Sequence, residues 1–264
     1  ANLVPTTLEL GGKSPCVLDA SADLARAMPS IVNGKLLNCG QTCIAPDYVL
    51  LPRGREQAFA EAFDATVQRM YPRIAGNPDY TALLDARGLA RMQALLHDAR
   101  HHGGRVHLCG NDGPAASGAR QMAPALVLNA HAGMRVLQEE IFGPILPVLP
   151  YDTLDQAIAH INAGPRPLAL YWFGQDAARQ AQVLQQTTSG SVAVNDTLMQ
   201  FVHENLPFGG VGESGWGAYH GEAGFLRFSH LKPVFRQSRW NAGGVFHPPY
   251  GAGMRRMLAW LVRL

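Results

Sequence analysis

Cysteine, net charge and long apolar runs are all scarce in this chain. Four cysteines in 264 residues (Cys16, Cys39, Cys43 and Cys109) are too few for a disulfide scaffold, so free thiols in a reducing cytoplasm are expected. A formal net charge of only +2 gives no electrostatic reason to expect a nucleic-acid partner. No apolar stretch is long enough to span a bilayer and no amino-terminal run has the pattern of a signal peptide, so no stable membrane span is expected. Cys39 and Cys43 are four residues apart, but no second Cys/His pair stands at finger spacing, and no metal site is expected. No internal repeat is present. What is abundant is apolar side chain, 47% of the residues, which excludes the disordered class and suffices for one large domain or two small ones.

Strand-like and helix-like patterns alternate along the chain. Ser14–Asp19 reads as a buried strand, followed by a helix that Ser21 or Asp23 can cap and that ends near Leu37. A strand over Asp47–Leu51 precedes helical patterns at Glu56–Met70 and Ala86–His101, and Gly103-Gly104 stops the second. Arg105–Leu108, Ala125–Leu128 and Ile145–Leu149 are strand candidates. Thr153 and Gln156 have capping-box spacing before a helix through Ile161, and Leu168–Phe173, Ala177–Gln185 and Ser191–Asn195 continue as strand, helix, strand. This alternation predicts an α/β fold with a largely parallel sheet and flanking helices. Past Asn195 the rhythm breaks: Pro207–Gly217 is expected to be mostly loop, Asn241–Gly253 extended and exposed, and Met254–Leu264 a short terminal helix.

Two phosphate-binding patterns fail on context. Gly210-Val-Gly-Glu-Ser-Gly215 has no strand before it, and Gly12-Lys13-Ser14 has Thr7 where a P-loop needs its first glycine. The stretch Asn38-Cys-Gly-Gln-Thr-Cys43 is the better chemical candidate. It connects a helix to a strand, Gly40 allows close backbone approach, and Gln41 and Thr42 are polar without charge. A small buried thiol in a tight turn is the alternative for either cysteine. Phe208 is open between lining a pocket and anchoring its loop.

The stretch has two partners in the sequence, Leu8-Glu-Leu-Gly-Gly-Lys13 and Glu139-Glu-Ile-Phe-Gly-Pro144. Together the three resemble the signature of the aldehyde dehydrogenase superfamily, in the right order. Gly40–Tyr48, Pro167–Tyr171 and Tyr219-His-Gly221 resemble its class 3 branch; Ser229–Gln237 and Pro248–Gly251 are most similar to bacterial coniferyl aldehyde dehydrogenases. The resemblance runs from Leu3 to about Arg239. It implies Cys43 as nucleophile, Glu9 as the base that activates the deacylating water, Glu140 on the nicotinamide ribose and Phe142 beside it. Glu139 is then an adjacent decoy. It further implies NAD or NADP as cofactor, a small aldehyde as substrate and a homodimer at full length. Such chemistry needs activation, since a thiol of pKa about 8.5 is only about 3% ionised at pH 7.

In that family a substantial amino-terminal part precedes the first motif, carrying most of the dinucleotide-binding sheet. The resemblance therefore implies residues 1–10 as an edge of that domain, 11–200 as the catalytic domain and 201–264 as a carboxy-terminal segment, with the cofactor domain mostly absent. An isolated chain of this kind is expected to be inactive. The competing expectations are a truncated binding or dimerisation module and a cysteine hydrolase or acyltransferase, the latter lacking any recognisable histidine motif.

Overall fold

The computed structural model describes residues 4–110, 120–241 and 243–263. Nine strands lie at Leu8–Glu9 (β1), Pro15–Leu18 (β2), Tyr48–Pro52 (β3), Arg105–Leu108 (β4), Ala125–Leu128 (β5), Ile145–Tyr151 (β6), Ala169–Phe173 (β7), Ser191–Val194 (β8) and Gly215–Trp216 (β9). The α-helices are Leu24–Leu36 (α1), Glu56–Met70 (α2), Ala86–His101 (α3), Arg135–Gln138 (α4), Leu154–Ala163 (α5), Ala177–Gln186 (α6), Met199–Val202 (α7), Gly221–Arg227 (α8) and Ala252–Leu261 (α9).

Seven strands form one sheet in the order β4-β5-β6-β3-β2-β7-β8. Every neighbouring pair is parallel except β4 with β5. The central strands are buried on both faces, which is why β2, β3 and β7 read as unbroken apolar runs rather than as alternations. The flanking helices begin where the sequence offers caps. Asp23 accepts from the Ala25 and Arg26 N–H groups, Asp85 from Gly88, and Thr153 with Gln156 completes the expected capping box. Gly103, at φ +86°, follows the end of α3 as anticipated.

One departure bears on function. β1 and β9 pair antiparallel in a separate two-stranded ribbon, Leu8 facing Trp216 and Glu9 facing Gly215, so a short strand lies within the Pro207–Gly217 stretch expected to be mostly loop. Contacts divide the chain into compact units Ala1–Phe228 and Ser229–Leu264. The second unit, taken by itself, holds a short helical turn at Gly243–Phe246 and the terminal helix α9.

Candidate active site

In a parallel sheet of this kind, ligands usually lie outside the carboxyl ends of the strands. Here the three sequence motifs meet at the opposite edge. The loops that enter β2, β3 and β6, three adjacent strands, carry Gly11–Lys13, Asn38–Asp47 and Glu139–Pro144. Asp47 binds them together: its carboxylate forms a salt bridge with Lys13 and accepts the Ile141 N–H at 2.9 Å. Lys13 Nζ also donates to the carbonyls of Val136 (2.8 Å) and Glu139 (2.9 Å). With Asp47 buried and Lys13 nearly so, this ion pair is fully hydrogen-bonded, the condition under which a buried charge is tolerated. Neither residue was singled out from sequence. The available signal was a lysine immediately before a strand buried on both faces, where a cation needs a carboxylate.

The Asn38–Cys43 loop makes its turn with three successive left-handed residues, Asn38 (φ +52°), Cys39 (+57°) and Gly40 (+73°). Such backbone is sparsely populated by non-glycine residues and persists only where the surroundings fix it. Gln41 does much of that fixing: its Nε2 donates to the carbonyls of Asn38 (2.9 Å) and Ala82 (3.2 Å), and its Oε1 accepts the Leu84 N–H at 2.9 Å. Tyr171, from β7, donates to the Ile44 carbonyl at 2.5 Å just past the second cysteine. A Cβ on Gly40 would collide with the Gly143 carbonyl, so the Asn38–Cys43 loop and the Glu139–Pro144 loop touch backbone to backbone.

The two cysteines part company here. Cys39 is fully buried and its thiol points at the Tyr80 hydroxyl, 3.7 Å away. Burial pushes its pKa up to about 11. Cys43 is only half-buried, and its Sγ donates to Glu9 Oε1 at 3.3 Å. The other Glu9 oxygen accepts the Tyr219 hydroxyl. Burial first, then the Glu9 carboxylate as hydrogen-bond acceptor and as negative charge, pushes the Cys43 thiol up to about 12. Cys43 is therefore held as a thiol beside a base rather than as a free thiolate. Tyr219, known from the sequence only as part of a resembling tripeptide, is the residue that orients Glu9.

Glu139 and Glu140 separate as cleanly. Glu139 is tied to Arg91 (3.0 Å) and Arg135 (2.8 Å), both of which hold its carboxyl below the ordinary range against the effect of burial. Arg91 also donates to the carbonyls of Glu140 and Ile141, clamping the loop from behind. Glu140 points instead into an apolar-walled groove that includes Gly12, Tyr48, Leu137 and His160, with the Gly12 backbone beside its carboxyl. Burial raises its pKa. A Cβ on Gly11 would overlap the Glu140 carboxyl, so the glycine at 11 is what makes room for it. Phe142 follows at φ +51° with its ring exposed. Phe208 is fully buried against Phe201, Tyr219 and His220, which makes it a loop anchor rather than a pocket wall.

The profile of the aldehyde dehydrogenase family matches residues 1–234. The chain belongs to the aldehyde dehydrogenase family. It is 50% identical over 262 residues to a probable coniferyl aldehyde dehydrogenase of Caulobacter vibrioides, covering 98% of this chain and 54% of that relative. A probable coniferyl aldehyde dehydrogenase of Pseudomonas aeruginosa is 48% identical over 257 residues, 97% of this chain and 53% of the relative. Among solved structures, the substrate-bound state of Staphylococcus aureus AldH superposes with a TM-score of 0.88 at 38% identity, over 98% of this chain and 55% of that one. The chain thus spans about half the length of the aldehyde dehydrogenases it matches. Among the described residues, no helix is long and apolar enough to cross a membrane.

Proposed function

We propose that this chain supplies the nucleophile and the base of an NAD(P)-dependent aldehyde dehydrogenase that oxidises an aldehyde, an aromatic one such as coniferyl aldehyde, to its carboxylic acid. The observation that carries the reading is the 3.3 Å contact between Cys43 Sγ and Glu9 Oε1, with Tyr219 on the far carboxylate oxygen. A thiol with an adjacent carboxylate can lose its proton to that carboxylate as sulfur attacks a carbonyl carbon, giving a thiohemiacetal on Cys43. A bound nicotinamide supplies the acceptor for the hydride that leaves this carbon. Glu9 passes that first proton to solvent, then takes a proton from water as the water attacks the resulting thioester and hands it to the departing sulfur, releasing acid and returning Cys43 to the thiol. The partner of Cys43 is a carboxylate and not a histidine, which weighs against the hydrolase alternative.

The residues present fit one end of the cofactor. Glu140, beside the Gly12 N–H in the groove, and the exposed ring of Phe142 suit a nicotinamide ribose. Among the described residues no strand–glycine-rich loop–helix unit offers a pyrophosphate site, so this chain alone is expected to bind NAD or NADP weakly and to be inactive. The four free thiols agree with work in a reducing cytoplasm, and the family resemblance with a homodimer.

The test joins this chain to the amino-terminal half of one of the half-identical relatives. Cys43→Ala should abolish aldehyde oxidation, while Cys39→Ala should retain most of it. Equal loss from both substitutions would remove the assignment.

A further inference from the structure

A second cluster of chemically active side chains lies away from the motifs, at the edge strand β4. His107 and Cys109 are two residues apart in extended backbone, so both project to the same side of the sheet. The Cys109 N–H continues the ladder by donating to the Pro124 carbonyl at 2.7 Å, which fixes that projection. Helix α2 crosses this side and brings Asp64. One carboxylate, one imidazole nitrogen and one sulfur then lie within 4.8 Å of one another.

The parts are arranged as a cation site would need. Asp64 Oδ1 accepts the Gly110 N–H at 2.8 Å, which orients the carboxylate and leaves Oδ2 toward His107 Nε2 at 3.3 Å. An anchored carboxylate oxygen behind a free one is the usual support of a metal-binding carboxylate. Cys109 is buried while the His107 and Asp64 side chains keep 40% and 21% exposure, so a cation and a water can enter from the solvent side. Thiolate, carboxylate and neutral imidazole sum to two negative charges, the complement of a divalent ion. The mixed sulfur, nitrogen and oxygen set suits zinc, with water as fourth ligand.

We propose that Asp64, His107 and Cys109 bind one zinc-class divalent cation and so clasp α2 to the edge of the sheet. On binding, the Cys109 S–H bond breaks, the proton goes to solvent and the sulfur lone pair forms the metal–sulfur bond. His107 gives up its contact with Asp64 and turns Nε2 to the ion as the neutral base. No electron is transferred. The expectation from sequence missed this cluster because it sought cysteine and histidine pairs close in the chain, whereas Asp64 lies 43 positions before His107.

The experiment titrates the chelator-stripped chain with cobalt(II), then displaces it with zinc. The proposal expects one equivalent bound at micromolar concentration or tighter, a thiolate-to-cobalt charge-transfer band, and a thermal midpoint that rises with zinc concentration. Cys109→Ser should remove the band, and His107→Gln, a half-exposed position safe for folding, should weaken binding by at least about tenfold. Cys43→Ala should change none of these. Binding that needs millimolar metal, a band that survives Cys109→Ser but vanishes with Cys43→Ala, or unchanged affinity in His107→Gln would each overturn the proposal.

Discussion

The loop Asn38–Cys43 and the loop Glu139–Pro144 are built alike and finished differently. Each leads toward one of two adjacent strands, each contains left-handed non-glycine residues, and each is braced by long polar side chains, Gln41 for one, Lys13 and Arg91 for the other. In the first, the functional atom is already satisfied within the chain, thiol to Glu9 to Tyr219. In the second, Glu140 has only the Gly12 backbone beside it and Phe142 is open to solvent. The proposed nucleophile and base are preorganised, and the proposed cofactor contacts are rigid in backbone but unfilled. Affinity and turnover should therefore respond to different substitutions.

The largest effect is expected on the filled half. In the joined enzyme, Glu9→Gln should slow thioester hydrolysis by about 10²–10⁴-fold, the usual worth of general-base assistance, and slow the steps up to hydride transfer less, because the thiol loses its base but also the charge that opposes its ionisation. Rapid mixing would then show a burst of reduced cofactor followed by slow turnover; unchanged steady-state turnover would show that Glu9 is not the base.

On the open half, Lys13→Met leaves the buried Asp47 carboxylate without its cation and frees the Glu139 carbonyl. Breaking such a pair costs about 3–5 kcal/mol, read as a lower urea midpoint. A loss no larger than that of an exposed pair, such as Arg53 with Asp152, would mean the loops are held by something else.

Between the halves, Gly40→Ala combines an unfavourable φ with a collision against Gly143, whereas Gly54→Ala meets the same φ penalty in open space. Gly54→Ala should cost about 1 kcal/mol, and Gly40→Ala about 1–3 kcal/mol more. Equal costs would deny that the two loops are fitted to each other.

The smallest effect concerns ionisation. The Glu9 charge and its acceptance of the thiol proton both raise the Cys43 pKa, so Glu9→Gln should lower it and speed alkylation of Cys43 above about pH 8.5, by severalfold. Mass-spectrometric rates at that one cysteine would show it. In the parent chain the folded thiols of Cys39 and Cys43 titrate at about 11 and about 12, whereas an unfolded thiol does so at about 8.5. The unfolded state loses protons first, so this contribution to stability is intact below about pH 8.5 and shrinks as pH rises toward the folded values. A thermal midpoint flat up to pH 11 would contradict that sign.

What the sequence disclosed was local or shared with relatives. The helix over Leu154–Ala163 was announced by Thr153 and Gln156, and the strands by apolar runs of the right length. Cys43, Glu9, Glu140 and Phe142 were named through three motifs and not through any physical necessity of their own. What stayed hidden depends on residues far apart in the chain. Tyr219 stood in the sequence only as part of a resembling tripeptide, and its contact with Glu9 exists because β9 brings its segment to β1. Lys35, in the last turn of α1, is fully buried with no hydrogen-bond partner for its Nζ, and nothing in the sequence singled it out. Burial lowers its pKa to about 8. A buried unpaired ammonium breaks the rule that periodicity relies on, so no pattern could have placed it.

The ribbon of β1 and β9 also sets an order of events. Glu9 and Tyr219 stand 210 positions apart, and closing a loop of that length costs about 5 kcal/mol of chain entropy unless the intervening chain is already folded. The Glu9–Tyr219 contact is least costly to close once the seven-stranded sheet has brought its flanking segments together. A nascent or nicked chain that lacks Gly215–Tyr219 would still display its cysteine, with nothing holding the glutamate against it. If Glu9 is the base proposed above, its seating against Cys43 would report that this last segment has docked.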